Sequence, residues 1–224
     1  MKLAVIIPSS NARNLERCLA NLRLAEREMP VVVVSDGLEF GALAAMQYPA
    51  VTVAPGVKPF VFARNVNIGI REAAETHSPD GFIILNDDAL VNTPGGFTAL
   101  GEEAEARPEY GIISAVTNSA GNPNQYSRGS GFRDEPRVLC FVCVLVTAAA
   151  LRCVGLLDER FTAYGWEDND LCRRVLEYGM KLGISESCFV DHLSLVSTFR
   201  GDPRAARDIS QGAAIYRAKW GDLA

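Results

Sequence analysis

The stretch Leu3-Ala4-Val5-Ile6-Ile7-Pro8-Ser9-Ser10-Asn11 decides the fold class. Its apolar, mostly branched run is too short for a helix and reads as a strand buried on both faces, the habit of a parallel sheet. Pro8 lacks a backbone N–H and fixes φ, so Pro8 to Asn11 forms a turn. A helix follows over Leu15–Met29, capped by Asn11 or Asn14, with Leu15, Cys18, Leu19 and Leu22 on one face. The unit then recurs. Val31–Val34 is a strand ending at Ser35-Asp36-Gly37, Gly41–Tyr48 a short helix and Val51–Val53 a short strand. Phe62–Thr76 is a helix, Phe82–Leu85 a strand ending at Asn86-Asp87-Asp88, Phe97–Arg107 a helix and Tyr110–Val116 a strand. Such βα alternation predicts an α/β domain with a mostly parallel central sheet and helices on both faces.

Past Thr117 the pattern changes. Residues 118–135 are rich in Gly, Asn and Ser and read as a long loop, which in a compact domain is usually functional or mobile. Val138–Val146 returns to strand character, Thr147–Val154 is a short helix, and Asp168–Tyr178 is a helix stopped by Gly179. Lys181–Ile184 and Cys188–Val190 read as two short strands. Arg204–Trp220 is a helix with Ala206, Ile209, Ala213, Tyr216 and Trp220 at helical spacing. No repeat or linker divides the 224 residues, so one domain is expected.

Composition excludes several classes. With 48% hydrophobic and 22% charged residues the chain is neither disordered nor a coiled coil. A net charge of −5 and a pI near 5.2 weigh against a nucleic-acid binder. The longest nearly apolar run, Val138–Leu151, falls short of the about 20 residues a membrane span needs. Leu3–Ile7 is too short for the apolar part of a signal peptide, so a cytoplasmic location is expected. The six cysteines do not make a disulfide framework in a chain this size. Cys140 and Cys143 enclose Phe141 and Val142 and read as core rather than as a redox or zinc motif.

Ligands of open α/β sheets bind beyond the carboxyl ends of strands, and Ser9, Asp36 and Asp88 each follow a strand end. Adjacent carboxylates such as Asp87 and Asp88 are costly to bury unpaired. Hard oxygen ligands suit Mg²⁺ or Mn²⁺, which also bind substrate phosphates, while a capped turn is the plainer alternative. In Tyr164-Gly165-Trp166-Glu167-Asp168-Asn169-Asp170 three carboxylates crowd a helix start. Compensation of the helix dipole explains one or two of them; a third could serve as a general base. His192 sits beside Asp191, and a carboxylate can orient an imidazole toward a metal, although a lone histidine is more often structural. Arg64 and Asn65 open a helix that also holds Asn67 and Gly69, a place for an anionic ligand or for a plain solvated face.

In this order the segments resemble the family 2 glycosyltransferases of the GT-A fold. Residues 3–11 resemble the family's opening strand and turn, and Val33-Val34-Ser35-Asp36-Gly37 its second strand with a base-binding aspartate. Ala63-Arg64-Asn65-Val66-Asn67-Ile68-Gly69 is similar to its Asn/Gly-containing helix, and Asn86-Asp87-Asp88 stands where the family carries its Asp-x-Asp motif. Residues 154–161, followed by Trp166-Glu167-Asp168-Asn169-Asp170-Leu171-Cys172-Arg173-Arg174, resemble the acceptor-side motif; His192 with Ser197-Thr198, then Lys219-Trp220-Gly221, complete the series.

The resemblance implies metal-assisted transfer of a sugar from a UDP-, dTDP- or GDP-sugar to a saccharide or other hydroxyl acceptor, with inversion. Pro8, Ser9, Ser10 and Asp36 would hold the nucleobase, with Arg64 and Asn65 nearby, and Asn86 and Asp87 would lie at the ribose and sugar. Asp88 and His192 would hold Mn²⁺ or Mg²⁺, Asp168 would be the general base, Glu167 would orient the acceptor and Trp166 would offer it a flat apolar face. Residues 1–117 would form the nucleotide-sugar half and 118–224 the acceptor half. Asn86 departs from the first aspartate of the motif and removes one charge. The chain ends soon after Trp220, so the acceptor is expected to meet residues 118–135, the Tyr164-Gly165-Trp166 turn or a partner. Alternatives are a domain that binds nucleotide-sugar or glycan without turnover, and a sugar nucleotidyltransferase, whose Gly-rich loop after the first strand is missing here. A dinucleotide-binding dehydrogenase would need G-x-G-x-x-G at that point.

Overall fold

Strand β1 (Leu3–Ser9) is buried along its whole length and divides its side chains between two cores. Leu3, Val5 and Ile7 enter one; Ala4 and Ile6 enter the other. The same odd-even division runs through β2 (Val31–Ser35) and β4 (Gly81–Leu85), so the sheet must be covered on both faces. A computed structural model of the chain describes residues 1–37, 50–162, 165–195 and 205–221. The expected helix Gly41–Tyr48 lies outside the described residues.

On one face lie α1 (Ala12–Ala25), which presents Leu15, Cys18, Leu19 and Leu22, and α3 (Gly96–Ala106), which presents Phe97, Leu100 and Ala104. On the other lie α2 (Phe62–His77), α4 (Ala148–Val154) and α5 (Glu167–Glu177). Asn11 caps α1, accepting from the N–H groups of Arg13 and Asn14 at 3.1 and 3.2 Å. Helix α3 is capped from a distance: Glu26 accepts from the amides of Phe97 and Thr98 at 2.7 and 3.1 Å, an anion at a helix N-terminus. Helix α2 lies close on the sheet at Gly69, where a Cβ would come within 2.4 Å of Ile6. The remaining helix, α6 (Ala205–Trp220), packs outside α5.

The sheet is mixed. Its order is β3-β2-β1-β4-β8-β6-β9-β5, with β3 (Val51–Pro55), β5 (Leu90–Val91), β6 (Tyr110–Thr117), β8 (Cys143–Thr147) and β9 (Lys181–Asp191). Strands β3, β2, β1 and β4 are parallel; β8 runs antiparallel between β4 and β6, and β6 pairs parallel with β9. Residues 118–135 hold a short 3-10 turn and β7 (Phe132–Glu135), antiparallel to β9. The two short strands expected at Lys181–Ile184 and Cys188–Val190 are one continuous β9. Of the long strand expected at Val138–Val146 only Cys143–Thr147 pairs. The carboxyl ends of β1, β2 and β4 fall on one edge, which puts Ser9, Asp36 and Asp87-Asp88 in one region of the surface.

Candidate functional site

At that edge a cavity of about 540 Å³ is lined by segments far apart in sequence. Asn86, Asp87 and Asp88 come from the turn after β4, and His192 from the end of β9. Gly165, Trp166, Glu167 and Asp168 come from the start of α5, and Ile209 from α6. Pro8, Phe60, Phe62, Phe141 and Val142 add apolar walls.

Asp87 lies in reach of β1: Ser9 Oγ donates to its Oδ2 at 2.5 Å. Burial, with the adjacent Asp88 carboxylate, pushes Asp87 up to about 7 against that hydrogen bond. Asp88 is buried, and its Oδ1 lies 3.1 Å from Nε2 of His192. The other ring nitrogen, Nδ1, lies 2.8 Å from the Ser119 carbonyl. A carbonyl only accepts, so Nδ1 carries a proton, and Nε2 is the ring nitrogen that faces the carboxylate oxygen. A proton on Nε2 makes this contact an ion pair; with Nε2 bare, a cation between the two atoms takes its place. Ligands about 2.1 Å from an octahedral Mg²⁺ and at right angles to each other stand about 3.0 Å apart. Asp88 and His192 therefore fit a divalent ion. Among the described residues no group of three or more His, Cys, Asp or Glu gathers at one point, so water and substrate phosphate would complete the set.

The second acid pair opens α5. Gly165 and Trp166 both have left-handed backbone, with φ of 92° and 80°, a conformation rare for tryptophan. Glu167 is only 6% exposed, and its Oε2 has no hydrogen-bond partner. Half-buried Asp168 accepts from the Asn169 amide at 2.8 Å. Burial raises both carboxyls above their ordinary range, and the Asp168 carboxylate further discourages ionisation of Glu167.

Of the other residues singled out in the sequence, Pro8 and Cys140 line the cavity. Ser9 and Ser10 lie behind it at the end of β1. The Asp36 amide donates to the Ser9 carbonyl at 2.9 Å, and its Oδ1 is buried without a partner. Burial raises the Asp36 carboxyl, against the pull of Lys58. Arg64 and Asn65 are not brought to the cavity. Exposed Arg64 lies 3.6 Å from Glu159, and buried Asn65 accepts from the Val57 amide at 2.9 Å, a structural tie for residues 56–57. Cys140 lines the cavity and Cys143 is buried; both are free thiols.

Sequence reading missed Phe60, Phe62 and Ile209 as lining, and the Ser119 carbonyl as the partner of His192 Nδ1; residues 119–121, which also line the cavity, belong to the segment 118–135 expected there. No motif marks them, because backbone carbonyls and apolar walls are placed by the fold alone.

No protein-family model matches the chain, and no curated protein is significantly similar in sequence. Solved structures do match. One is the crystal structure of GalNAc-T7 with UDP, GalNAc and Mn²⁺, at a TM-score of 0.73 and 12% identity over 96% of this chain and 48% of that one. Another is S. aureus TarS, at 0.65 and 13% over 84% and 36%. Its residues 1–349 match at 0.63 and 14% over 97% and 72%. The chain thus spans about half the length of the GalNAc-T7 structure. Together with the mixed sheet and the acid turn after β4, this likeness shows that the chain has the GT-A fold of the nucleotide-sugar-dependent glycosyltransferases.

Proposed function

We propose that this chain transfers a sugar from a nucleoside-diphosphate sugar to an acceptor hydroxyl, with inversion at the anomeric carbon. The observation that carries the reading is one cavity shared by two acid pairs, Asp87-Asp88 with His192 and Glu167-Asp168. The nucleobase lies over Pro8, Ser9 and Ser10 and offers an N–H to the unpartnered Oδ1 of Asp36. Asn86 and Asp87 accept from ribose and sugar hydroxyls. Asp88 and His192 hold Mn²⁺ or Mg²⁺, which when bound offsets the negative charge growing on the leaving diphosphate. Asp168 takes the proton from the acceptor hydroxyl as its oxygen bonds to the anomeric carbon and the bond to the diphosphate oxygen breaks. A single displacement of this kind inverts the anomeric centre. Glu167 Oε2 accepts from a second acceptor hydroxyl, and the Trp166 face receives the acceptor ring.

The test is turnover of a panel of UDP-, dTDP- and GDP-sugars with Mn²⁺ or Mg²⁺, read as released nucleoside diphosphate. The UDP and Mn²⁺ of the GalNAc-T7 structure make that pair the first to try. Asp88→Ala and Asp168→Ala should each lower turnover by on the order of 100-fold or more. Asp88→Ala should also weaken metal-dependent UDP binding, which Asp168→Ala should leave intact. Proton NMR of the new glycosidic bond reads inversion directly. Absence of binding to every nucleotide-sugar would sink the proposal; metal-dependent binding without turnover, with acceptors supplied, would leave a binding domain.

A further inference from the structure

We infer that α6 is a positioning element for the Glu167-Asp168 turn, and that Gly212 is the residue that lets it act. The inference rests on the assignment of Asp168 as the base.

Glycine is a poor choice inside a helix, where alanine is favoured, yet Gly212 sits mid-way along α6. Contact explains it. A Cβ there would lie 2.5 Å from the Gly165 carbonyl oxygen and 2.8 Å from Trp166 Cδ1. The helix rests directly on the backbone of the turn, which cannot give way as a flexible side chain would. The rest of the buried face of α6 continues the grip. Tyr216 packs against Trp166 with ring centroids 5.2 Å apart and ring planes tilted by 47°. Trp220 donates its indole N–H to Asp170 Oδ1 at 2.8 Å. Lys219 lies 2.7 Å from the same oxygen and 2.8 Å from Asp158 Oδ2. Arg173 covers the Trp220 ring at 4.5 Å.

The turn needs such support. Left-handed backbone at Trp166 is not self-sustaining, and no side chain caps α5 there. Trp166 and Asp170 flank Glu167 and Asp168 on the first turn of the helix, so holding both fixes the direction of the two acids between them. Ile209, one turn before Gly212, reaches the cavity itself. The donor side, from β1, β2 and β4, has no share in this contact. Loosening α6 should therefore damage transfer while leaving nucleotide binding.

The test compares the parent with Gly212→Ala, Trp220→Phe and the exposed control Gln211→Ala. Hydrogen–deuterium exchange of the amides of residues 165–169 should speed up in Gly212→Ala, and less in Trp220→Phe, while those of β1 and β4 stay protected. Binding of UDP with Mn²⁺ should stay within about twofold. With the nucleotide-sugar that the parent turns over, kcat should fall on the order of 10- to 100-fold, the scale of a small misplacement. The acid limb of the kcat/KM profile should also move to lower pH, as water reaches Asp168. The groups facing Asp168 are Glu167 on its own helix, the Cys140 and Cys172 thiols, and across the cavity Asp87, Asp88 and His192. Loss of folded protein alone would scale the rate at every pH and move no limb. Unchanged exchange at residues 165–169, or a rate loss matched by loss of UDP binding, would overturn the inference. A parent that turns over no nucleotide-sugar would instead defeat the proposed activity, and the exchange experiment would still decide the role of α6.

Discussion

Glu167 is a carboxyl group almost out of water with an oxygen that accepts nothing, an arrangement that destabilises the fold holding it. Its folded pKa is raised from the usual 4.5 by burial and by the charge of Asp168. Between the unfolded and the folded value the native chain binds more protons than the unfolded chain, so stability falls as pH rises through that window. Glu167→Gln removes this slope. The variant should be about 1–3 kcal/mol more stable than the parent near pH 8, with the gap closing in acid, as read from urea midpoints across pH. If the chain carries out the proposed transfer, its rate should drop in this variant, because an amide also presents a donor where the proposed acceptor hydroxyl would donate. In the proposed role of base Asp168 carries the opposite requirement, since a base must be ionised: its raised pKa should move the acid limit of activity above that of an ordinary carboxylate.

At the scale of elements, local chemistry that acts through nearest neighbours was legible. The apolar face of α1 and a cap at its start, expected from Asn11 or Asn14 and made by Asn11, follow from adjacent residues, as does the short helix after β8, although Thr147, expected as its first residue, caps it instead. The capping of α3 by Glu26 was not, since its partner is about 70 residues away. Strand β9 read as two pieces because Ser185, Glu186 and Ser187 interrupt its apolar pattern. In the structure β7 lies alongside, and Glu186 pairs with Arg133 at 2.6 Å. The segment 118–135 read as a loop, yet buried Gln125 pins it. Its amide donates to Ser114 Oγ and the Cys140 carbonyl at 2.7 and 2.9 Å, and accepts from the Cys140 amide at 2.8 Å. Gln125→Leu should cost about 1–3 kcal/mol, by leaving the Cys140 N–H unpaired, while the Cys140 carbonyl keeps the Val142 amide at 2.9 Å. Chemical denaturation gives that cost, and Cys140 should become more reactive to a thiol reagent as the cavity wall loosens.

At the scale of the molecule, the sheet is a partition between two cores, and its central strands carry both. Ile84, on β4 beside β1 and β8, is fully buried. Ile84→Ala should lower stability by about 2–5 kcal/mol, read as a fall in the urea midpoint without change of slope. Because the Asp87-Asp88 turn leaves the same strand, UDP binding with Mn²⁺ should weaken in that variant even where the chain stays folded. Among the described residues no helix is long and apolar enough to cross a membrane, in keeping with the reading of Val138–Leu151 as core.

What the amino-acid order determined by itself was whatever depends on neighbours along the chain. Val31–Val34 and Phe82–Leu85 are strands because branched apolar runs have few other places to go, and polar residues at their ends mark the carboxyl edge of the sheet, where open α/β sheets in general bind ligands. Motif order was enough to point to the GT-A fold. What tertiary structure alone decided was juxtaposition. Only the antiparallel seat of β8 between β4 and β6, and the parallel pairing of β6 with β9, bring His192 to Asp88 across about 100 residues. Only the packing of α6 explains a glycine inside a helix, and only the path of α2 carries Arg64 to Glu159 rather than into the cavity. A side chain's type is written locally, but its partner is chosen by the closure of the whole core, where many weak contacts act together.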